Sequence, residues 1–272
     1  MKLNYKAIQG DCIEQLPKIA MPDLIIADPP YNIDHPYADY KDLLPENHYL
    51  AWNQVWLKAA ADALLPCGSM FVFYPDEWAA DIDVFMRRQL GMHRRSWIVW
   101  SFGFGVANQK NFSRSHCHIL YYVKDKKDFT FNADAIRVPS NRQLVYGDKR
   151  ANAKGKLPDN TWVLTKDEMQ ATLLDDSDSW YISRICGTFK ERKEHSPNQL
   201  PIALLNRIIL SASNEGDLVV DPFAGTFSAG VASAYCRRNF IGIDVSKTCV
   251  ERGEVAMREA VNQPVLRAEP RK

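Results

Sequence analysis

Short apolar runs without a polar face recur along the chain and alternate with stretches of helical spacing. The runs are LIIA at 24–27, MFVFY at 70–74, WIVW at 97–100, HILYYV at 118–123, DLVV at 217–220 and NFIGI at 239–243. Runs of this kind indicate strands that are buried on both faces. Together they predict a doubly wound α/β fold, with a mostly parallel sheet and helices on both of its faces.

Two segments between these runs repeat apolar residues at the spacing of a helix. The second is PIALLNRIILSAS at 201–213, and the first places six residues on one predicted stripe: Tyr49, Trp52, Val55, Trp56, Ala59 and Ala63. Apolar residues three or four positions apart lie on one face of a helix. We therefore predict helices in both segments, each packed on the sheet.

The alternation breaks over residues 132–180, which are polar and rich in Asn, Asp and Lys. We interpret this stretch as the main part of an insertion. The chain then divides into a first half of the α/β domain at 1–131, an insertion at 132–185, a second half at 186–263 and a charged tail at 264–272.

Composition narrows the class of protein. A chain of 272 residues with 46% hydrophobic content fits one large domain. No run approaches the roughly 18 apolar residues of a membrane span, and the chain opens without a signal-peptide pattern, so we expect a cytoplasmic location. The six cysteines include no CxxC pair, which predicts reduced thiols with neither disulfides nor zinc.

The net charge of +1 requires any nucleic-acid surface to be local. Residues 137–156 are the candidate, because the only acid among them is Asp148. The basic residues there are Arg137, Arg142, Lys149, Arg150, Lys154 and Lys156. Taken alone, the segment fits a solvated basic loop as well as a phosphate-binding surface.

The first candidate motif is DPPY, in which Asp28, Pro29, Pro30 and Tyr31 follow the LIIA run directly. Proline cannot continue a strand ladder, so a strand that enters a turn explains these residues. On this motif alone the turn is the simpler interpretation.

The second motif is DLVVDPFAGTFSAG at 217–230, which predicts a strand, a tight turn of small residues and the start of a helix. The next strand ends at Asp244, 19 residues after Gly225, close to the separation of about 20 expected when an acid holds ribose hydroxyls. The turn contains neither the GK[ST] of a phosphate loop nor a full GxGxxG, which disfavours ATP and NAD. A βαβ unit that binds a nucleoside is therefore predicted.

In this order the two motifs resemble those of the DNA amino-methyltransferases that use S-adenosylmethionine, in their circularly permuted β group. The resemblance covers most of the chain and includes GDCIEQL at 10–16 and CGTFKERKEHSPNQLP at 186–201. FSRSHCHILYYVKD at 112–125 and VYGDKRANAKG at 145–155 look like segments of a bacterial and phage branch of adenine-specific members. The resemblance implies a seven-stranded methyltransferase sheet with a target-recognition insertion.

The resemblance also implies a reaction, the transfer of a methyl group to N6 of a flipped-out adenine in double-stranded DNA. Asp28 and a backbone carbonyl held by Pro29 and Pro30 would each accept an N–H bond from the amine, and Tyr31 would stack on the base. Asp at the first position of the motif accompanies adenine more often and Ser accompanies cytosine. N4-cytosine methylation is the alternative.

Contact residues follow from the same resemblance. Those predicted for S-adenosylmethionine are Asp11, Cys12, His195, Asn198, Gln199, Asp221, Phe223, Ala224, Gly225, Thr226 and Asp244. Those predicted for DNA are Ser113, Arg114, Arg142, Lys149, Arg150, Lys154, Lys156, Lys190 and Arg192. A second copy of the chain and a cognate restriction endonuclease are further implied partners, for which the sequence identifies no contact surface.

Three other features admit competing interpretations. The Pro-Cys pair of LLPCGS at 64–69 is used as a nucleophile by cytosine-C5 methyltransferases, but its place between a helix and a strand favours a turn. His116 and His118 share one face of a predicted strand without a third ligand at suitable spacing, so we expect no metal. Phe102 and Phe104 fit either a base pocket or the core.

Two positions depart from the family pattern. Phe227 stands where a second glycine is usual, and Leu200 stands where a lysine is usual. We expect the bulky ring of Phe227 to narrow the cofactor site. A catalytically silent DNA-binding relative is therefore an alternative, although the intact DPPY argues against it.

Overall fold

The computed structural model describes residues 3–37, 39–102, 109–110, 112–162 and 199–262. The strands are β1 (Tyr5–Gln9), β2 (Leu24–Ala27), β3 (Ser69–Tyr74), β4 (His93–Ser101), β5 (His116–Val123), β6 (Thr161–Trp162), β7 (Leu218–Asp221) and β8 (Asn239–Asp244). The helices are α1 (Cys12–Gln15), α2 (Glu46–Ala63), α3 (Asp76–Arg88), α4 (Asn141–Leu144), α5 (Ile202–Ala212), α6 (Ser228–Tyr235) and α7 (Lys247–Val261), with 3-10 turns at Leu16–Lys18 and Ala133–Ile136.

The described strands form one sheet in the order β1-β8-β7-β2-β3-β5-β4-β6. Only β5 pairs antiparallel with both of its neighbours, and every other pairing is parallel. The predicted doubly wound, mostly parallel sheet is confirmed, and each of the six apolar runs contributes to a strand. The sheet has eight strands rather than seven, because β6 in the insertion pairs with Val99 and Trp100 of β4.

The sheet lies between two apolar cores, and strand β2 contributes side chains to both. Leu24 and Ile26 point into the core that contains Ile208 of α5, whereas Ile25 and Ala27 point into the core that contains Trp56 of α2. Alternate residues of a strand face opposite sides of the sheet, so a strand covered on both sides is apolar at every position. This arrangement explains why β2 reads as an unbroken apolar run.

Helix α2 forms as predicted, but its buried face differs from the predicted stripe. Val55 is 52% exposed, and the buried positions are Tyr49, Asn53, Trp56, Leu57, Ala60 and Ala61. Asn53 can be buried because its amide donates to the Tyr49 carbonyl at 2.9 Å and accepts from the Trp56 indole at 2.9 Å. A polar residue on the buried face thus rotates the helix away from the orientation that apolar spacing predicts.

The connections leave a crevice at the carboxyl ends of β2 and β7. These strands are parallel neighbours, with Leu24 opposite Val219 and Ile25 opposite Val220. From β2 the chain continues to β3 on one side, and from β7 it continues to β8 on the other. A reversal of this kind is where open α/β sheets bind ligands.

Two further properties concern the described ranges alone. No helix there is long and apolar enough to cross a membrane. The cysteines in those ranges are free thiols, and Cys186 lies outside them.

Candidate active site

Four neighbouring parallel strands each end in or next to an aspartate. Asp11 follows β1, Asp244 closes β8, Asp221 closes β7 and Asp28 follows β2. All four side chains line one cavity of about 510 Å³ at the carboxyl edge of the sheet. Its volume lies within the range of roughly 300–1,000 Å³ that is usual for small-molecule sites.

The DPPY residues lie at the end of this cavity nearest α2 and α3, and hydrogen bonds from both helices fix their backbone. The Tyr49 hydroxyl donates to the Pro30 carbonyl at 2.7 Å, and the Trp78 indole donates to the Tyr31 carbonyl at 2.8 Å. Among the described residues, no side chain donates to the Pro29 carbonyl. The motif therefore presents a rigid backbone rather than a mobile turn.

Tyr31 and Asp28 are bonded to each other. The Tyr31 hydroxyl donates to Asp28 Oδ1 and lies 3.6 Å from the Cys117 sulfur. Burial, followed by the charge of Asp28, raises the pKa of Tyr31 well above its ordinary value, so the phenol keeps its proton. The pair places an acceptor and an aromatic ring side by side at the cavity wall.

The turn after β7 is organised by carboxylates from two strands. Gly225 has a φ of 47°, and its N–H donates to Asp244 Oδ2 at 2.8 Å, while Ser246 N–H donates to Asp244 Oδ1 at 2.8 Å. Asp221 Oδ1 accepts from Phe223 N–H at 3.0 Å. Asp244 thus joins the turn to β8.

Burial perturbs the two carboxylates at this turn. It raises the pKa of Asp221 well above its ordinary value, and the charges of Asp28 and Asp244 add to that rise. Burial is also the largest cause of the raised pKa of Asp244. A cavity that disfavours its own negative charges suits a ligand that carries positive charge.

The GDC segment contributes a cap and a buried thiol. Asp11 is the N-cap of α1, where its Oδ1 accepts from Ile13 N–H at 2.8 Å. Burial raises the pKa of the Cys12 thiol to about 12, so this cysteine is a neutral wall residue at physiological pH.

A wall of aromatic side chains opposite the turn was missed by sequence reasoning. His35, Tyr37, Tyr40 and Trp52 all line the cavity, and the Trp52 ring lies 5.8 Å from the ring of Phe223. The available signal was the density of rings in HPYADY at 35–40, three residues after DPPY. Because these residues have no periodicity, only the folded loop shows that they face the cavity.

The expectation for Phe227 is wrong. Its ring is fully buried and packs toward Phe240, Gly242 and Gly253 rather than lining the cavity. A Cβ at Gly253 would lie 2.3 Å from this ring, so the ring occupies space that a missing side chain leaves open. Leu200 does line the cavity, so that departure from the family pattern is a wall residue.

Eight of the predicted cofactor contacts line the same cavity as DPPY: Asp11, Cys12, Asp221, Phe223, Ala224, Gly225, Thr226 and Asp244. Another predicted contact, Gln199, is buried but is not part of the lining. His195, Asn198, Lys190, Arg192 and Phe104 lie outside the described residues, and Phe102 is in the core.

The basic segment is less positive than its composition suggests. Arg142 and Arg150 both pair with Asp148, at 2.6 and 3.0 Å. Two acids just outside the segment take part as well, since Lys154 pairs with Asp134 and Lys156 pairs with Asp159. No ion pair forms at Lys149 among the residues that the structure describes.

The remaining DNA-contact candidates are next to the DPPY edge. Ser113 is exposed, and Arg114 pairs with Asp76 at 2.9 Å and with Glu77 at 3.0 Å, in the first turn of α3.

The Pro-Cys pair and the two histidines, which had competing interpretations, do not line the cavity. Cys67 lies in the turn between α2 and β3, at the opposite edge of the sheet from DPPY. The His116 and His118 rings are 5.0 Å apart, and His118 Nδ1 accepts from the Trp97 indole at 2.8 Å. Within the described ranges, no group of three or more His, Cys, Asp or Glu side chains could hold a metal.

A family model for DNA methylases of the N6/N4 type matches residues 22–256. The chain belongs to the N6/N4 DNA methylase family. It is 34% identical over 240 residues to the type II methyltransferase M.HpaI of Haemophilus parainfluenzae, which aligns 88% of this chain with 69% of the relative. It is also 34% identical over 258 residues to the DNA adenine methyltransferase YhdJ of Escherichia coli, with 90% and 80% aligned.

Solved structures agree on the fold of this DNA methylase. M1.HpyAVI in complex with SAM has a TM-score of 0.62 at 21% identity and covers 93% of this chain and 98% of its own. The cytosine-N4-specific PvuII DNA methyltransferase has a TM-score of 0.66 at 15% identity, with 98% and 94% covered. The family model spans the DPPY motif and the turn after β7, and so includes Asp28, Asp221 and Asp244.

Proposed function

We propose that this DNA methylase transfers a methyl group from S-adenosylmethionine to N6 of an adenine that is flipped out of double-stranded DNA. The observation that carries the proposal is the position of Asp28, which ends the strand next to β7 and lines the same cavity as the Asp221–Asp244 turn. An acceptor for the amine and a nucleoside site therefore share one crevice.

In the proposed reaction the protein orients the amine. The lone pair of the adenine amine is delocalised into the ring, so the nitrogen is a poor nucleophile. Acceptance of its two N–H bonds by the Asp28 carboxylate and the Pro29 carbonyl would localise that pair and aim it at the methyl group. The bonds from Tyr49 and Trp78 to the neighbouring carbonyls keep these acceptors in place.

The residues present fit S-adenosylmethionine. Bound there, S-adenosylmethionine supplies an electrophilic methyl group on a positively charged sulfur. Asp244 is placed to accept from ribose hydroxyls, the turn at Gly225 allows close approach to the backbone, and Asp221 faces the cavity as a buried carboxylate. His35 and Tyr40 also line the cavity, and His35 Nε2 and Tyr40 OH are buried without a hydrogen-bond partner among the described residues.

The insertion and the edge near Ser113 and Arg114 are proposed to contact phosphates, because both carry positive side chains. Lys149 is the strongest candidate. A second copy of the chain and a cognate restriction endonuclease rest on the family resemblance alone, whereas a cytoplasmic location is inferred from the hydropathy pattern of the sequence.

The proposal is tested by incubating the purified protein with unmethylated genomic DNA and labelled S-adenosylmethionine, followed by digestion to nucleosides and mass analysis. Label on N6-methyladenine is the expected result. Label on N4-methylcytosine would keep the mechanism but replace adenine as the target. No label would favour the silent DNA-binding relative.

Replacement of Asp28 should separate catalysis from binding. We expect Asp28→Ala to abolish methyl transfer and to leave DNA affinity nearly unchanged, because the carboxylate acts on the amine and not on phosphates. Single-turnover methylation and filter binding measure the two effects, with Asp62→Ala on the exposed face of α2 as the control. Turnover retained by Asp28→Ala would exclude the proposed role.

A further inference from the structure

The segment that links DPPY to α2 folds back on itself beside the cavity. We call residues 32–42 the strap, and Ala38 within it lies outside the described residues. Its two ends meet, because Asp34 N–H donates to the Asp42 carbonyl at 2.7 Å and Pro36 pairs with Lys41 as a β-bridge. The strap is thus a closed loop.

One buried carboxylate holds the first half of the strap. The Asp42 side chain is 2% exposed, and its Oδ1 accepts from Asn32 N–H at 2.7 Å. Its Oδ2 accepts from Ile33 N–H at 3.1 Å and from His35 N–H at 3.2 Å. Hydrogen bonds from N–H groups to a carboxylate are stronger than those between neutral groups.

A second set of hydrogen bonds, between the Asn32 side chain and the Leu44 backbone, closes the base of the strap. The Asn32 side chain accepts from Leu44 N–H at 2.6 Å and donates to the Leu44 carbonyl at 2.9 Å. Asn32 and Asp34 have φ values of 60° and 57°, in the left-handed region that costs energy for residues other than glycine. Such a conformation persists only where its surroundings determine it, and the Asp42 carboxylate provides that constraint.

The constrained backbone directs side chains at the cavity. His35, Tyr37 and Tyr40 of the strap line it, together with Trp52 of α2, whose ring lies 6.3 Å from that of Tyr40. The unpartnered atoms His35 Nε2 and Tyr40 OH belong to this group. The wall opposite the Asp221 turn therefore depends on the strap, and the strap depends on Asp42.

We propose that Asp42 is a positioning residue for cofactor binding, which fixes the strap so that His35, Tyr37 and Tyr40 form one wall of the S-adenosylmethionine site. The inference rests on the proposed function for the identity of the ligand. Asp42 itself does not line the cavity. Its effect on the ligand passes through the three backbone N–H groups that it holds.

The test compares Asp42→Asn with Asp34→Asn. An amide in place of the Asp42 carboxylate puts an NH₂ group against N–H donors, so at least one of the three bonds is lost whichever way the amide turns. Asp34 is exposed, lies in the same loop and keeps a left-handed backbone as Asn, so the control removes the same charge without removing the bonds.

S-adenosylmethionine binding to the full chain is measured by isothermal titration calorimetry at a temperature well below both unfolding transitions. For Asp42→Asn we expect Kd to rise by about tenfold or more, from the loss of charge-assisted hydrogen bonds, while Asp34→Asn stays at the wild-type value. In methylation assays KM for S-adenosylmethionine should rise while kcat at saturation is retained. A merely structural role would lower thermal stability without this split.

Equal Kd values for Asp42→Asn and wild type would overturn the inference, as would an equal loss in Asp34→Asn, which would assign the effect to charge alone. If Asp42→Asn does not fold, Asp42→Glu serves instead, because it keeps the charge but moves the carboxylate away from the three N–H groups by one methylene. Weaker binding is expected for it as well, and unchanged binding would overturn the inference. Wild-type protein that binds no S-adenosylmethionine would contradict the proposed function itself.

Discussion

At the scale of single residues, Phe227 shows how a departure from a family pattern is accommodated. The residue keeps the left-handed backbone, with φ of 58°, that a glycine adopts without strain. Its ring fills the space beside Gly242 and Gly253, where a Cβ would approach it to 2.5 and 2.3 Å. The bulk that sequence reasoning placed next to the cofactor stabilises the core instead.

Phe227→Ala should therefore destabilise the fold without weakening cofactor binding. We expect a loss of about 3–5 kcal/mol in the free energy of unfolding, the usual cost of removing a buried ring. Urea denaturation measures that loss, and titration of the folded fraction with S-adenosylmethionine should give a Kd near the wild-type value.

Leu65→Ala provides a control for Phe227→Ala, because Leu65 is only partly buried and lies in the turn before β3. Tighter cofactor binding by Phe227→Ala would mean that the ring restricts the site after all.

The site residues divide according to whether local sequence can reveal them. Asp28, Asp221 and Asp244 follow apolar runs directly, so strand prediction is enough to place them at one edge of the sheet. Asp42 could not be recognised, because its importance comes from three backbone N–H groups in an irregular loop.

At the scale of elements, the described part of the insertion, residues 132–162, is anchored to the domain at several points. Val138 and Lys156 exchange backbone hydrogen bonds of 2.9 Å in both directions. Asn132 donates to the Ser213 carbonyl at the end of α5, and the Arg207 guanidinium lies 5.2 Å from the Trp162 ring centroid. These contacts hold the basic segment in place, although most of its charges are compensated by Asp134, Asp148 and Asp159.

Lys149→Ala combined with Arg150→Ala should weaken DNA binding and flatten its dependence on salt. Each phosphate contact contributes a slope of about 0.9 in log K against log salt, so loss of two contacts should lower the slope by about 1.8. Fluorescence anisotropy with one duplex at several salt concentrations measures the slope.

The control for this pair is the double variant Lys126→Ala with Lys127→Ala. It removes two exposed charges just after β5, at the edge of the sheet opposite DPPY. It should leave the slope unchanged. The basic segment would be excluded as a DNA contact if both double variants behaved alike.

Three of the elements that were not predicted, β1, β6 and α7, share a physical reason. Strand β1 is at an edge and alternates partly buried with exposed residues, and β6 has only two residues, so neither forms an apolar run. Helix α7 buries Gly253, Met257 and Ala260 alone, which leaves its apolar stripe narrow. Periodicity detects elements that bury a broad face, and these bury little.

At the scale of the whole molecule, opposite charges are separated although the net charge is only +1. Four aspartates from adjacent strands face one cavity, while residues 137–156 contain six basic residues and one acid. S-adenosylmethionine carries a sulfonium, an ammonium and a carboxylate and is a cation overall, whereas DNA is an anion. The arrangement therefore matches each site to the charge of its proposed ligand.

This separation predicts that S-adenosylmethionine binding releases protons. In the free protein, burial and the neighbouring carboxylates raise the pKa of Asp221, which favours its protonated form. A cation in the cavity stabilises the carboxylate and lowers that pKa, so a proton leaves on binding. Affinity should then rise with pH above the ordinary aspartate pKa of about 4 and level off above the pKa of Asp221 in the free protein.

Calorimetric titrations in buffers with different ionisation enthalpies measure the released protons directly. Asp221→Asn should reduce the release and flatten the pH dependence, since Asn can still accept from Phe223 N–H but does not titrate. S-adenosylhomocysteine, which lacks the sulfonium charge, should release fewer protons from the wild-type protein. Binding heats that are independent of the buffer would show that Asp221 keeps one protonation state in the free and the bound protein, against the electrostatic argument for this cavity.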